Sequence, residues 1–396
     1  MSATATTATD PRGRVRLLCV GRDLHGGGAQ RVHLCLLNHI DRSRFDIRLF
    51  YLKDEGALRD FVPQHLELTY GASRNQNHNI RIPWVLARLF RRAQHSDLIF
   101  AMQDGRPIHF AGLVGWLTGR PVVGWIHNCW SQVSQDLSAW HTWAARLVYP
   151  HITHLIGVSE GVVKELLKVH PHFFGKVSAV PNPLPIQQIQ TQAQAPIPRW
   201  AKHIFAKRTV VAAGWLIPLK GFDILLRAFA RLIQTGLDLN LIILGEGNER
   251  AGLERLAGGL GLRERVFMPG FQINPYPFFA RADVFALSSR FEALPTVVLE
   301  ALCLGLPVVA TDCPYGPREI LGDARYGVLV PPESPAALAR GIDALLSSPD
   351  MSARFRASGF ERAKFYDASR VARLFESIFL QCVGHSQAPL NPRRKT

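Results

Sequence analysis

The chain has 396 residues, 47% of them apolar, and a formal net charge of +15. This length predicts two domains, because domains usually hold about 100 to 200 residues. No window offers the roughly 18 uninterrupted apolar residues that a membrane-spanning helix needs, and residues 1–13 lack the apolar run of a secretory signal and are predicted to form a loose tail. We therefore expect a cytoplasmic protein, either soluble or peripheral at the inner face of the membrane.

Six cysteines are scattered along the chain without paired spacing. This distribution argues against a disulfide framework and against a zinc site. In addition, no Asp-x-Asp pair follows a predicted strand. The sequence therefore predicts neither a metal nor any other cofactor.

Short apolar, β-branched runs alternate with helical patterns, which is typical of parallel sheets covered by helices. The predicted strands are 16–20, 46–52, 98–102, 121–127, 154–159 and 177–180, then 209–214, 239–244, 266–269, 283–287, 307–311 and 327–330. The segment 183–208 is rich in proline, glutamine and alanine and predicts a linker. We expect an α/β protein of two facing Rossmann-like domains, 14–182 and 209–365, that bind ligands in the cleft between them.

The end of the chain has its own pattern. Residues 366–383 predict a helix that packs back on the N-terminal domain, and residues 384–396 predict a basic tail.

A glycine loop, Gly26-Gly27-Gly28, follows the first predicted strand and opens a helix. Without Cβ atoms, its backbone can approach a phosphate closely. The alternative is a plain flexible turn. The loop lacks the Gly-x-Gly-x-x-Gly pattern, so a dehydrogenase is disfavoured.

The segment 68–96 contains arginines but no acidic residue. Its helical pattern places one apolar stripe opposite one basic stripe, the first formed by Val85, Leu86, Leu89 and Phe90 and the second by Arg81, Arg88 and Arg92. Such a helix either rests on an anionic membrane surface or is a domain helix with solvated arginines. Nucleic acid is disfavoured as a partner, because basic and aromatic residues do not interleave on a recognisable element.

Two polar residues, each a candidate on its own and not part of a longer motif, lie at or just after the ends of predicted strands. His127 ends a strand and so lies at the rim where a sheet meets its ligand cleft. Lys220 follows the first strand of the second half, and its ammonium could neutralise a departing diphosphate. The alternatives are an ordinary histidine and an ordinary exposed lysine.

The strongest candidate site is the segment from Glu292 to Glu300, which follows a predicted buried strand and contains a proline at a helix start. The backbone N–H groups of Leu294, Thr296 and Val297 would form an anion site. Carboxylates on either side could accept hydrogen bonds from sugar and ribose hydroxyls. The alternative is an acidic turn that complements the helix dipole.

Glu292 and Glu300 are separated by seven residues and followed by Ala-Leu-Cys-Leu-Gly-Leu-Pro-Val-Val-Ala-Thr at 301–311. This combination resembles the signature of family 4 glycosyltransferases, retaining enzymes of the glycosyltransferase B architecture. The resemblance extends from about Val15 to Phe365. It implies that Glu292 contacts the transferred sugar and that Glu300 contacts the ribose.

The resemblance also implies roles for residues outside the glutamate segment. Gly27, Gly28 and Arg31 would face the diphosphate and the acceptor, and His127 would contact the sugar near its reacting carbon. Lys220 would bind the diphosphate, together with the amides of Leu294, Thr296 and Val297. Glu319 would support the site from the next helix.

One position departs from the family pattern. Trp215 stands where the family has an arginine on the diphosphate. Either Arg31, Arg290 or Arg318 supplies the missing charge, or turnover is slow.

The sequence thus predicts a retaining transferase that moves a hexosyl or N-acetylhexosaminyl group from a UDP-sugar. The predicted acceptor is a glycan or lipid-linked glycan of cell-surface polysaccharide or lipopolysaccharide synthesis. Two alternatives are a nucleotide-sugar epimerase of the same architecture and a non-catalytic nucleotide-sugar-binding subunit.

Overall fold

The computed structural model describes residues 13–25, 27–72, 81–129 and 147–387. The chain divides into two compact units, residues 1–183 with 368–396, and residues 184–367. The predictions for residues 1–12, for Gly26 and for 388–396 lie outside the described residues. Each unit is built on its own parallel sheet.

The first unit has a seven-stranded sheet in the order β3-β2-β1-β4-β5-β6-β7, with all neighbours parallel. The strands are β1 Val15–Gly21, β2 Phe45–Lys53, β3 Glu67–Ala72, β4 Leu98–Ala101, β5 Val122–Ile126, β6 His154–Gly157 and β7 Val177–Ala179. In the central register Leu17 of β1 pairs with Ile47 of β2 and Leu98 of β4. The strand order reverses between β1 and β4, and ligands of such sheets bind beyond the strand ends at that point.

The described helices of the first unit are Gly28–His39, Ile82–Gln94, Arg106–Thr118, Glu160–Val169 and Ala368–Gln387. The last of these buries Phe375 completely. The Phe375 ring lies 5.8 Å from the ring of Phe100 on β4 and 4.6 Å from that of Trp125 on β5. The terminal helix therefore covers the first sheet, and it continues to Gln387, past the predicted start of the tail at 384.

The second unit has a six-stranded parallel sheet in the order β10-β9-β8-β11-β12-β13. The strands are β8 Arg208–Ala213, β9 Leu239–Leu244, β10 Val266–Gly270, β11 Val284–Leu287, β12 Val308–Thr311 and β13 Val328–Val330. The order reverses between β8 and β11, which is the Rossmann arrangement. The helices are Ile186–Ala193, Phe222–Gln234, Arg250–Gly259, Tyr276–Phe279, Thr296–Cys303, Gly316–Leu321, Pro335–Ser347 and Pro349–Lys364. The prediction of two Rossmann-like α/β domains is confirmed.

The predicted linker at 183–208 is wrong. The segment forms the helix Ile186–Ala193 and the 3-10 helix Arg199–Ala206. Ile186, Ile189 and Ala193 recur on one helix face and are buried in the second unit. The glutamines between them face outward, so a linker-like composition concealed an amphipathic helix.

The apolar stripe of the helix Ile82–Gln94 is buried in part. Val85 and Leu89 are 4% and 0% exposed and belong to the core of the first unit, whereas Leu86 and Phe90 are partly exposed, and contact with a membrane surface remains a prediction. Arg92 forms an ion pair with Glu67 of β3. Among the described residues, no helix is long and apolar enough to span a membrane.

Candidate functional site

The switch point of the second unit brings two chain segments together, the turn that follows β8 and the loop that follows β11. The turn contains the 3-10 helix Pro218–Lys220. Several hydrogen bonds join the segments. Among them, Ser288 Oγ donates to the Lys220 carbonyl at 2.9 Å, and the Arg290 amide donates to the Leu219 carbonyl at 2.8 Å. The Lys220 turn is therefore anchored to the loop that leads to Glu292.

Lys220 and Glu292 form an ion pair at this point. Lys220 Nζ lies 2.7 Å from Glu292 Oε1, and Ser289 Oγ donates to the same oxygen at 2.7 Å. The Glu292 side chain is 9% exposed and that of Lys220 is 21% exposed. This largely buried carboxylate therefore has both a cationic partner and a hydroxyl donor, as buried charged groups generally require. Two predicted site residues, 72 positions apart in sequence, are thus in direct contact.

The helix Thr296–Cys303 begins immediately after this loop, with Pro295 as its N-cap residue. Thr296 and Val297 occupy its first two positions, whose N–H groups have no carbonyl four residues earlier within the helix. The loop before the helix is fixed by its neighbour, since the Glu292 amide donates to the Pro314 carbonyl at 2.8 Å. The backbone of this loop also packs closely against Gly316, because a Cβ on Gly316 would lie only 2.7 Å from Leu294 Cα. The predicted anion site therefore has a rigid frame.

Glu300 and Glu319 lie on neighbouring helices of the second unit. Glu300 is half-buried in the second turn of Thr296–Cys303, and Glu319 is half-buried in Gly316–Leu321. The Glu319 carbonyl accepts a hydrogen bond from Arg362 Nη2 at 2.8 Å, which ties its helix to Pro349–Lys364. Their contacts with a ribose and with the site remain predictions.

The two arginines of this unit that were considered as replacements for the missing charge are already engaged. Arg290 pairs with Asp223 at 2.9 Å and with Glu333 at 2.6 Å. Arg318 pairs with Asp312 and, at 3.0 Å, with Asp323. Trp215, which follows β8, is 48% exposed. Neither arginine offers an uncompensated positive charge.

In the first unit, His127 directly follows β5, as predicted for a residue at the sheet edge. Its Nε2 lies 3.0 Å from His33 Nε2 and 3.1 Å from the Met102 carbonyl oxygen. Burial lowers the pKa of His127 to about 4, so the ring is neutral near pH 7. The ring is held by partners on two other elements.

Asp104 fixes the backbone next to that ring. Its carboxylate accepts hydrogen bonds from the His127 amide at 3.1 Å, from the Asn128 amide at 3.0 Å and from Asn128 Nδ2 at 2.8 Å. Burial, opposed by these hydrogen bonds, raises the pKa of Asp104 to about 7. Asp104 was not predicted as a site residue, although it follows β4 at the switch point of the sheet.

The glycine loop lies at the other side of this switch point. Gly27 is the N-cap residue of the helix Gly28–His39, and the Arg31 amide donates to the Gly27 carbonyl at 3.2 Å. Asp23, which is 3% exposed, accepts from Gln30 Nε2 at 3.2 Å. Asp23 therefore joins the end of β1 to the start of this helix.

A cavity of about 700 Å³ opens at the same edge of the first sheet. Lys53, Gln103, Asp104 and Asn128 supply charged and amide groups, while Phe110, with other apolar residues, supplies an apolar wall. Carboxylates and amides suit the many hydroxyls of a sugar. This cavity was not predicted, because its residues come from five separate parts of the chain.

Within the described ranges, no three His, Cys, Asp or Glu side chains cluster as metal ligands would. The absence of a metal requirement remains a prediction.

Each unit matches a family model of known proteins. A family model for "Glycosyltransferase Family 4" matches residues 26–188, and one for "Glycosyl transferases group 1" matches residues 200–362. The chain is 31% identical, over 57% of its length, to an N-acetylgalactosamine-N,N'-diacetylbacillosaminyl-diphospho-undecaprenol 4-alpha-N-acetylgalactosaminyltransferase of Campylobacter jejuni. It is 33% identical, over 47% of its length, to the lipopolysaccharide core biosynthesis glycosyltransferase LpsE of Rhizobium meliloti. These alignments span 60% and 49% of the two relatives.

Solved structures match over nearly the whole chain. The fold is similar to that of Anabaena HepE in complex with UDP, with a TM-score of 0.79, 20% identity, and coverage of 92% of this chain and 100% of that one. It is also similar to the lipopolysaccharide glycosyltransferase WaaG, with a TM-score of 0.69, 19% identity, and coverage of 92% and 99%. At these identities the likeness establishes the fold.

Proposed function

This chain belongs to the family 4 glycosyltransferases, and we propose that it transfers a hexosyl or N-acetylhexosaminyl group from a UDP-sugar with retention of the anomeric configuration. The observation that carries the proposal is the 2.7 Å contact between Lys220 and Glu292 at the switch point of the second sheet. In this proposal the ammonium stabilises the charge of the departing diphosphate, and the carboxylate beside it orients the sugar.

In this proposal the second unit holds the donor. Lys220 and the amides of Leu294, Thr296 and Val297 bind the diphosphate, and Glu300 binds the ribose. For the first unit, the resemblance implies that Gly27 and Gly28 bind phosphate and that His127 contacts a sugar. Because the pKa of His127 is about 4, its neutral ring is suited to hydrogen bonding and is a weak base. The acceptor oxygen attacks the anomeric carbon from the side of the leaving group, the bond from that carbon to the diphosphate breaks, and the departing diphosphate takes the proton of the acceptor hydroxyl.

The acceptor is proposed to be a glycan or lipid-linked glycan of cell-surface polysaccharide or lipopolysaccharide synthesis. The cavity with Lys53, Gln103, Asp104 and Asn128 supports this class, because it offers both charged and amide partners for sugar hydroxyls. The Campylobacter relative is named for an undecaprenol-linked acceptor and the Rhizobium relative for the lipopolysaccharide core. A cytoplasmic location, either soluble or peripheral at the inner face of the membrane, remains a prediction.

A ligand screen tests the donor. A ligand that binds only the folded protein at 100 times its Kd stabilises it by about 2.7 kcal/mol. We therefore expect UDP and one UDP-sugar to raise Tm, and the GDP-sugars to leave it unchanged. Transfer with that donor is then followed by NMR, which reports the product anomer. If only GDP-sugars raised Tm, the assignment of uracil as the nucleobase of the donor would be wrong. A product with the inverted anomeric configuration would overturn retention.

The same screen separates the alternatives. An epimerase would convert the donor to its isomer with no acceptor present. A non-catalytic subunit would show the Tm shift and no turnover with any acceptor.

Restoring the arginine that the family carries is expected to raise turnover. A preorganised charge-stabilising group is worth roughly 100- to 1000-fold in rate, and we expect Trp215→Arg to recover at least about tenfold in kcat. Trp200→Arg is the matched control, because Trp200 is 47% exposed in the same unit against 48% for Trp215. An unchanged or lower kcat in Trp215→Arg alone would show that the tryptophan has its own role in the site.

A further inference from the structure

Arg290 contacts three parts of the second unit at once. Its Nη1 and Nη2 each donate to one oxygen of Asp223 at 2.9 Å, and its Nε lies 2.6 Å from Glu333 Oε1. Its Nη1 also donates to the Pro218 carbonyl at 2.5 Å. The planar guanidinium matches the carboxylate of Asp223 as a fork, which fixes direction as well as distance.

These partners surround the turn that carries Lys220. Pro218 begins that turn, and Asp223 lies in the first turn of the helix that follows it. Because the Arg290 amide also donates to the Leu219 carbonyl at 2.8 Å, both its backbone and its side chain hold the turn. Arg290 itself lies two residues before Glu292, so it joins the segments of the two charged site residues.

The backbone of Glu333 is a second indication that the contacts of Arg290 hold this region in place. It has a φ of 57°, in the left-handed region that non-glycine residues avoid. Such a conformation persists only where the surroundings hold it. Here the carboxylate that it presents is bound by Arg290.

We propose that Arg290 is a positioning residue that fixes Lys220 relative to Glu292 and that it does not bind the diphosphate. Arg290, Asp223, Glu333 and Pro218 are called the arginine clamp. The consequence for transfer rests on the proposed function of Lys220. The clamp explains why Arg290, despite its place in the glutamate segment, does not replace the arginine that Trp215 displaces.

Kinetics of Arg290→Gln, Asp223→Asn and Lys220→Met test the clamp. We expect Arg290→Gln to lower kcat roughly 100-fold, the cost of a displacement of about 1 Å in a catalytic group. Asp223→Asn should lower kcat in the same direction. If Arg290 were a diphosphate ligand, Asp223→Asn would instead release it and tighten the binding of UDP, which overturns the proposal. In a Lys220→Met background, Arg290→Gln should have little further effect, whereas multiplying effects would also overturn it.

A chemical readout separates failure of the clamp from failure of the proposed function. The rate at which a small acylating reagent modifies Lys220 is measured by peptide mass spectrometry in the full chain. We expect Arg290→Gln to raise this rate several-fold and to leave Lys207, paired with Asp238 at 2.8 Å, unchanged. Arg290→Lys, which keeps the charge but loses the fork, should behave similarly and serves if Arg290→Gln fails to fold. An unchanged Lys220 rate in folded variants overturns the clamp, whether or not any donor is transferred.

Discussion

Replacing Lys220 by methionine is expected to lower kcat/KM for sugar transfer by roughly 100- to 1000-fold, the usual effect of removing one preorganised charge-stabilising group. Methionine keeps most of the side-chain volume but removes the charge and the hydrogen bond to Glu292. We expect neither Arg290 nor Arg318 to replace Lys220, because each of them is already paired with two carboxylates. Glu292→Gln is expected to impair transfer as well, since it removes the carboxylate proposed to orient the sugar. The measurement is donor-dependent transfer at saturating acceptor.

Lys207→Met is the matched control for this experiment. Lys207 forms an ion pair of similar length with Asp238, 2.8 Å against 2.7 Å, but at an exposed position. An exposed pair contributes only about 0 to 1 kcal/mol, so this variant should retain wild-type transfer and Tm. Wild-type kcat/KM in folded Lys220→Met protein would remove Lys220 from the mechanism.

The sequence predicted most strands correctly because parallel strands that are buried on both faces are short, continuous apolar runs. The exception is β3, Glu67–Ala72, which was not predicted. It is an edge strand whose first four residues are at least partly exposed, so it lacks the apolar run. The helix at 186–193 was missed for a similar reason. Glutamines dominate its composition, and its buried face has only three residues.

Site residues were predictable where their place directly after a strand is enough to put them at the ligand-binding edge of the sheet. Lys220 and Glu292 follow β8 and β11, and neighbouring parallel strands end at the same edge of a sheet. Side-chain partners were not predictable. Arg290 looked like a spare cation, but its pairing with Asp223, 67 residues away, depends on how the two segments pack. Asp104 was missed because its role is to bind the backbone of His127 and Asn128, which no residue pattern indicates.

Gly221→Ala is expected to disrupt both stability and transfer. Gly221 has a φ of 61°, and a Cβ there would lie 2.2 Å from the Ser288 carbonyl oxygen. The left-handed conformation alone costs an alanine about 1 to 2 kcal/mol. The clash adds to this cost, and it can be relieved only by moving the backbone of Ser288 or of the Lys220 turn. Either movement separates Lys220 from Glu292, so we expect loss of most transfer activity together with a lower Tm.

Gly236→Ala is the control that measures the cost of the left-handed backbone conformation without a steric clash. Gly236 follows the other end of the same helix, has a φ of 88°, and a Cβ there would meet no atom within 4 Å. It should therefore lose only the conformational term, which corresponds to roughly 2 to 8 °C in Tm for about 1 to 2 kcal/mol, and should keep its kcat. A Gly221→Ala protein that matched Gly236→Ala in both Tm and kcat would show that the close approach to Ser288 is not needed. The contact between Lys220 and Glu292 would then tolerate movement of the turn, and the rigid geometry proposed for the donor site would be wrong.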